Sequence, residues 1–301
     1  MTFPSQGIFS KVKQVQEVTF NTLPATPTMT LVPFINSTLS PEITKVTDMI
    51  IQGDTMHRYV VPTTQKVGGT IGGEVSHANF DWLLQAMFYN TWATNTLVVG
   101  TTQSTYSIEV GATDISQYLL FTGCSLDKLA LTLAPAGLVT YKADFIGCSW
   151  TISTTTNATA TTGATVAAPL ATVTATIKVG GTVVGWITGA AITFDRKLTP
   201  TYALGSASPK SLATSYFNVT GALDIFFEDA IAYGYFNANT STTVDWTLTD
   251  GTNTYELILP NVYFETFTTD VTSSGPIKIK SNMTAVFDPS TSTNAKVIRS
   301  S

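Results

Sequence analysis

The stretch Ile71-Gly72-Gly73-Glu74-Val75-Ser76-His77-Ala78-Asn79-Phe80-Asp81-Trp82-Leu83-Leu84-Gln85-Ala86-Met87-Phe88 aligns without a gap on Val219-Thr220-Gly221-Ala222-Leu223-Asp224-Ile225-Phe226-Phe227-Glu228-Asp229-Ala230-Ile231-Ala232-Tyr233-Gly234-Tyr235-Phe236, about 148 residues further on. Gly73 meets Gly221, Val75 meets Leu223, Asp81 meets Asp229, Leu83 meets Ile231 and Phe88 meets Phe236. A repeat of this period signals two similar modules in one chain, an arrangement suited to rings and arrays. Each copy opens with strand-like alternation. A short helix follows, with Phe80, Leu83, Leu84, Met87 and Phe88 on one face of the first copy and Ile231, Ala232, Tyr235 and Phe236 on one face of the second. Asn79 or Asp81 supplies the cap in the first copy and Asp229 in the second. The repeated structural core is therefore expected at Val75, Leu83, Phe88, Leu223, Ile231 and Phe236.

Outward from the repeat, each module continues with hairpin-linked strands. The first offers Thr105–Val110, Tyr118–Phe121 and the alternating Leu126–Leu133, and closes on Val139, Tyr141, Ala143 and Phe145. The second offers Val244–Leu248, Thr254–Pro260 and Val262–Thr268, and closes on Ile277, Ile279 and Met283. It begins with a hairpin, Val173–Val179 turning at Gly180-Gly181 and returning through Val183–Ile187. The expected fold is mainly β: two tandem antiparallel β-sandwich or barrel modules, each with one short flanking helix. Residues 1–40, punctuated by Pro24, Pro27 and Pro33, read as an extended N-terminal arm. Residues 41–152 form the first module, 153–170 a Thr/Ala-rich linker or loop, 171–290 the second module, and 291–301 a C-terminal tail.

Composition narrows the function. Of 301 residues, 44% are hydrophobic and only 12% charged, roughly half the usual charged share. So few charges favour a surface covered by neighbouring subunits over that of a monomeric enzyme. The net charge of -5 is spread evenly, with 7 basic and 10 acidic residues up to residue 150 and 8 and 10 beyond it. No basic patch stands out for tight nucleic-acid binding. Cys124 and Cys148 read as small buried hydrophobes. Neither a signal peptide nor a membrane span is read from the sequence, which places the protein in the cytoplasm where it is made.

The catalytic search is empty. His57 and His77 are too few for a His-based triad or a multi-histidine metal site. The run Gly68-Gly69-Thr70-Ile71-Gly72-Gly73 lacks the strand-to-helix context of a dinucleotide loop and reads as turn-forming. Asp224, Glu228 and Asp229 form the densest acidic cluster and read as a helix-start charge pattern. No catalytic residue, cofactor or metal is expected.

Four stretches resemble the tail tube, or major tail, proteins of long-tailed bacteriophages. They are Gly72-Gly73-Glu74-Val75 leading into Phe80-Asp81-Trp82-Leu83-Leu84; Gln117-Tyr118-Leu119-Leu120-Phe121-Thr122-Gly123-Cys124; Ala191-Ile192-Thr193-Phe194 with Val219–Leu223 and Phe227-Glu228-Asp229; and Tyr255–Val262. Lys13–Thr19 resembles the family's opening strand, with Asn21 where a glycine is expected. The resemblance implies a β-sandwich with a flanking helix, without catalytic activity, whose subunits form rings that stack into a hollow tube. Its partners would be other copies of itself and other phage tail proteins, with DNA passing through the lumen without specific binding and no membrane involved. It implies a virion tail protein assembled in the host bacterial cytoplasm. Two modules per chain would let three chains close a ring of pseudo-sixfold symmetry, preferred here over a true hexamer. Another tail component, a completion or sheath protein, and a β-rich cell-surface adhesin are the alternative readings. The sequence does not assign the assembly interface.

Overall fold

The computed structural model describes residues 4–185, 187–227, 234, 237–271 and 274–300, and it is mainly β. The first half contains β1 (Ser10–Gln16), β2 (Thr28–Val32), β3 (Ser40–Thr47), β4 (Val60–Glu74), α1 (Asp81–Phe88), β5 (Tyr106–Ala112), β6 (Gln117–Leu133), β7 (Thr140–Gly147) and β8 (Ser149–Ser153). Period-two alternation places Leu126, Leu129, Leu131, Tyr141, Ala143 and Phe145 in the core. The 17-residue β6 serves two neighbourhoods. Its first half lies between β5 and β8, and its second half pairs with β7, which pairs in turn with β4, and β4 with β3.

The second half contains β9 (Thr176–Val179), β10 (Ile187–Asp195), β11 (Asn218–Phe226), β12 (Thr242–Thr249), β13 (Thr254–Asp270), β14 (Lys278–Ala285) and β15 (Lys296–Ser300). It repeats the same plan. β13 is again 17 residues long, flanked first by β12 and β15 and then by β14, which pairs with β11, and β11 with β10. Even the bulges recur. β6 slips against β5 between Tyr106 and Ile108 and against β7 between Leu126 and Lys128; β13 slips against β12 between Thr242 and Val244 and against β14 between Phe264 and Thr266. The residue left over at the second bulge is acidic both times, Asp127 and Glu265. A bulge bends and twists a strand, and here it marks the point where one strand passes from one set of neighbours to another.

These bulges fix the equivalence of the halves more firmly than the sequence alignment does. Phe145 and Met283 face the residue before the bulge in each copy, so Ala143 corresponds to Ser281. Ile71 lies opposite Ala143 and Leu223 opposite Ser281, so Leu223 takes the place of Ile71 and not of Val75. Val75 corresponds instead to Phe227: the Val75 amide donates to Val139 and the Phe227 amide to Ile277. The gapless alignment is thus displaced by four residues in its strand portion. Gly69, not Gly73, is the counterpart of Gly221. The run Gly68–Gly73 is no turn; it lies inside β4. There Gly69 adopts φ +140°, and a Cβ would collide with the Thr38 carbonyl and the Leu39 backbone.

α1 packs Leu83, Leu84, Ala86, Met87 and Phe88 into the core. Its expected side-chain cap is absent, because both candidates are engaged elsewhere. Asn79 exchanges hydrogen bonds with Thr165, while Asp81 accepts from the Tyr255 hydroxyl at 2.6 Å and pairs with Arg299. Asp81 in the first turn still opposes the helix dipole favourably. The second flanking helix, expected after Asp229, falls largely outside the described residues; Gly234, Asn237 and Ala238 are helical.

The segment expected as an arm is largely built into the sheet. β1 pairs along its whole length with β5, and Val12, Lys13 and Gln14 are buried. Glu17, just beyond, accepts hydrogen bonds from the Thr105 and Ser107 hydroxyls and the Asn21 and Gly123 amides. The linker is also tied down. Glu109, fully buried, pairs with Lys13 at 2.8 Å and accepts from the Thr156 hydroxyl and the Asn157 amide at 2.7 and 2.6 Å. Ala160–Thr162 then adds a parallel edge to β2. Burial alone would raise the Glu109 pKa, but Lys13, Thr156 and Asn157 together outweigh it and hold the carboxyl below its ordinary value.

Gly69→Ala should lower stability by about 2 to 3 kcal/mol, since it combines a disfavoured φ with a backbone collision. Gly221→Ala should cost less than about 1.5 kcal/mol, because there the closest atom is the mobile end of Met283. Denaturant titration of the two variants compares them directly. Glu109→Gln should cost about 3 kcal/mol by leaving the buried Lys13 charge uncompensated. Because the folded carboxyl has a depressed pKa, its contribution is complete above the ordinary value of 4.5 and is lost as pH falls through the lower folded value. The gap between thermal melts of the wild type and the Gln variant should therefore narrow as pH falls from 7 to 3.

Candidate assembly surface

Four of the six expected core residues lie inside. Val75, Leu83 and Phe88 are fully buried and Leu223 nearly so, while Ile231 and Phe236 lie outside the described residues. His77 sits against the Tyr255 ring at 5.3 Å, and His57 Nδ1 meets the Asp48 carbonyl at 2.6 Å on an exposed turn. Asp224 lies in β11 opposite Lys280, whereas Glu228 and Asp229 lie outside the described residues. Burial raises the thiol pKa of Cys124 and Cys148, the latter to about 12, which keeps both protonated and inert. Among the described residues, no three His, Cys, Asp or Glu side chains converge to hold a metal, and no helix is long and apolar enough to cross a membrane.

The informative surface is instead made of sheet edges. Within the chain, the second half of β6 pairs along Lys128–Leu133 with β10 along Asp195–Ala190, so one ladder joins the two modules. This joint is dry. Leu129, Leu131, Ile192 and Phe194 are buried in it, and Lys128 stands opposite Asp195. Immediately beyond, the Arg196 amide continues the ladder by donating to the Asp127 carbonyl, and its guanidinium lies between the Tyr89 and Phe217 rings, 4.0 and 4.1 Å from their centroids. Its Nε donates to the Met87 carbonyl in the last turn of α1. Burial lowers the Arg196 pKa to about 10, so the side chain enters the joint as a cation held by aromatic faces and a helix C-terminus. The modules are joined again beside Asp81, which contacts Tyr255 and Arg299, and by a short antiparallel ladder of Thr96–Val98 with the start of β15.

Several strands have a strand partner on one side only among the described residues, β8 and the short Ala160–Thr162 among them, and two of these edges are equivalent to the two sides of the internal joint. β3 pairs with β4 on one side only, and the second half of β13 pairs with β14 on one side only. A row of unused backbone donors and acceptors of this kind is a template for pairing with another chain. Between β3 and β4 projects a hairpin whose tip exposes Met49 (89%), Ile50, Ile51 (95%) and Met56 to solvent. The tip is shaped by polar contacts: Asp48 accepts from the Arg58 and Tyr59 amides, and Arg58 pairs with Asp54. An apolar tip on an ordered polar frame is a feature of docking surfaces.

Sequence reasoning found the strands but not the edges. Which strand is left without a neighbour depends on pairings between residues far apart in the chain, and no local pattern encodes those. One available signal was the excess of apolar residues in Met49–Met56, a segment too short and too irregular to be a strand.

Comparison with known proteins agrees with this architecture. No curated protein matches the chain. A family model described as phage tail tube protein matches residues 10–289, which covers nearly the whole sequence and both sheet modules, and the chain therefore belongs to the phage tail tube protein family.

Proposed function

We propose that this protein polymerises into rings, that the rings stack into the hollow tube of a phage tail, and that DNA passes through the tube without being held. The single observation that carries this reading is the β6–β10 joint, where two sheets of the same plan meet edge to edge inside one chain. A chain that already joins two equivalent modules in this way needs only to repeat the step to form a ring. Three chains would then supply six modules, with alternate joints inside and between chains. The sparse and slightly acidic charge suits a conduit, since clustered Lys and Arg would retain the phosphate backbone. The protein's role in this reading is structural rather than catalytic, with assembly taking place in the host cytoplasm before the tail joins the virion.

Stacking of one ring on the next is assigned to the exposed hairpin tip. The linker is a weaker candidate for that contact, because Glu109, Asn79 and β2 hold it against its own module. Symmetry-resolved electron microscopy of the concentrated protein tests the proposal, with uniform tubes of three chains per ring expected. Six chains per ring would overturn the trimer, and a protein that forms no tubes would overturn the function. The double variant Met49→Ser, Ile51→Ser should retain the wild-type far-ultraviolet circular dichroism spectrum and melting temperature while giving short tubes or isolated rings in the same images.

A further inference from the structure

We propose that the joint between neighbouring chains copies the joint inside the chain: the open edge of β3 in one copy pairs antiparallel with the open edge of β13 in the next, with Ser40 opposite Thr268. This rests on the ring reading above and specifies its interface. The derivation uses only the internal equivalence of the halves. Ser37 lies opposite Ile71 as Ala190 lies opposite Leu223, so the stretch Ser37–Glu42 stands where β10 runs from Ala190 to Asp195. By the bulges, Thr266 stands in the place of Lys128 and Thr268 in that of Ala130. In the internal joint Thr193 faces Ala130. Carrying both positions across sets Ser40 against Thr268, Leu39 against Thr269 and Thr38 against Asp270.

Burial supports the transfer. Along β10 the inward residues Ala190, Ile192 and Phe194 are buried within a completed joint. Their counterparts Ser37, Leu39 and Pro41 face the same way but are only half-buried, while Thr38, Ser40 and Glu42 are exposed. The same alternation with its cover missing is what an edge awaiting a neighbour should show. On the other side, Leu131 and Leu133 are buried beside β10, whereas their counterparts Thr269 and Val271 are exposed. The occupant is specified by the fold itself: inside the chain, the equivalent edge is filled by the equivalent strand.

The two joints would not be alike in strength. Pro41 lacks an amide hydrogen, so the joint between chains can make fewer hydrogen bonds than the internal one. Ile43 takes the place of Arg196 and would donate its amide to the Glu265 carbonyl, as Arg196 does to Asp127, without the guanidinium clamp. The Lys128–Asp195 pair is replaced by Thr266 opposite Glu42.

Disulfide trapping tests the register. Ser40→Cys with Thr268→Cys in one chain should give covalent multimers in oxidised tubes, because directly opposed residues have a Cα separation suited to a disulfide. Ser40→Cys with Asp270→Cys, one pair out of register, should crosslink at least about tenfold more slowly. Cys124 and Cys148 are buried and serve as an internal control in the wild type. Hydrogen exchange on unmodified protein gives a second reading that needs no variant. On passing from monomer to tube, the amides of Leu39, Ile43 and Thr269, which the register points at the neighbouring chain, should slow by at least about tenfold, while the Thr38 amide, already bonded to Thr70, should change little. Tubes that form with neither the crosslink nor the protection would overturn this interface and leave the tube function standing. Failure of the wild type to form any tube would overturn both.

Discussion

Everything in this molecule depends on two long strands that each serve two neighbourhoods. A 17-residue strand is far longer than a typical strand of five or six, and an unbroken one would carry a single flat sheet past the edge of its own core. The bulges at Asp127 and Glu265 resolve this by re-aiming the second half of each strand. That half can then leave its own hairpin partner and present a fresh edge. In β6 the edge is taken by β10; in β13 it is not taken by any described strand. The two long strands, alike in length and bulges, thus differ in that the edge of one is filled and that of the other has no described strand beside it.

Polar groups buried away from these edges hold the modules in shape. Glu17 and Glu109 each gather several hydrogen bonds from segments far apart in sequence, which fastens β1 and the linker to β5 and β6. Such networks stabilise when every member is satisfied and are costly when one is removed. They also explain how a chain with so few charges keeps a defined structure: several of those charges are spent inside, at the few points where apolar packing could not fix a register.

Much of the fold was legible in the sequence. The alternation of Leu126–Leu133, the turn at Gly180-Gly181 and the helical face of Leu83, Leu84 and Phe88 rest on local periodicity, which side-chain burial reproduces. The displaced repeat shows where this kind of reading runs out. A strand has a side-chain period of two, so a shift of four residues keeps every apolar position pointing inward and leaves the sequence pattern unchanged. Only the ladder, with its bulges, separates Val75 from Ile71 as the counterpart of Leu223. The glycines misled for a related reason. Gly68, Gly69, Gly72 and Gly73 suggest a turn, but they lie where Asn36, Thr38, Leu39, Glu42 and the Tyr141 ring press close against β4, a contact made by residues distant in sequence. Similarly, Asn79 and Asp81 carry the right chemistry for a helix cap, and tertiary partners claim them first. The open edges left only a slight local trace, Pro41 in β3, since a proline within a strand favours an edge position.

The β6–β10 ladder has a kinetic meaning beyond its geometry. Its two sides are tethered by the same chain, so it closes as the protein folds, at a rate independent of how many copies are present. A joint between open edges of separate copies has no such tether and must await collision. In a ring made of alternating joints of the two kinds, half of the closures are therefore complete before any two molecules meet, and the concentration dependence of growth is that of the remaining half. In the proposed ring, duplication within one chain would lower the number of independent bodies that must lose translational freedom at closure.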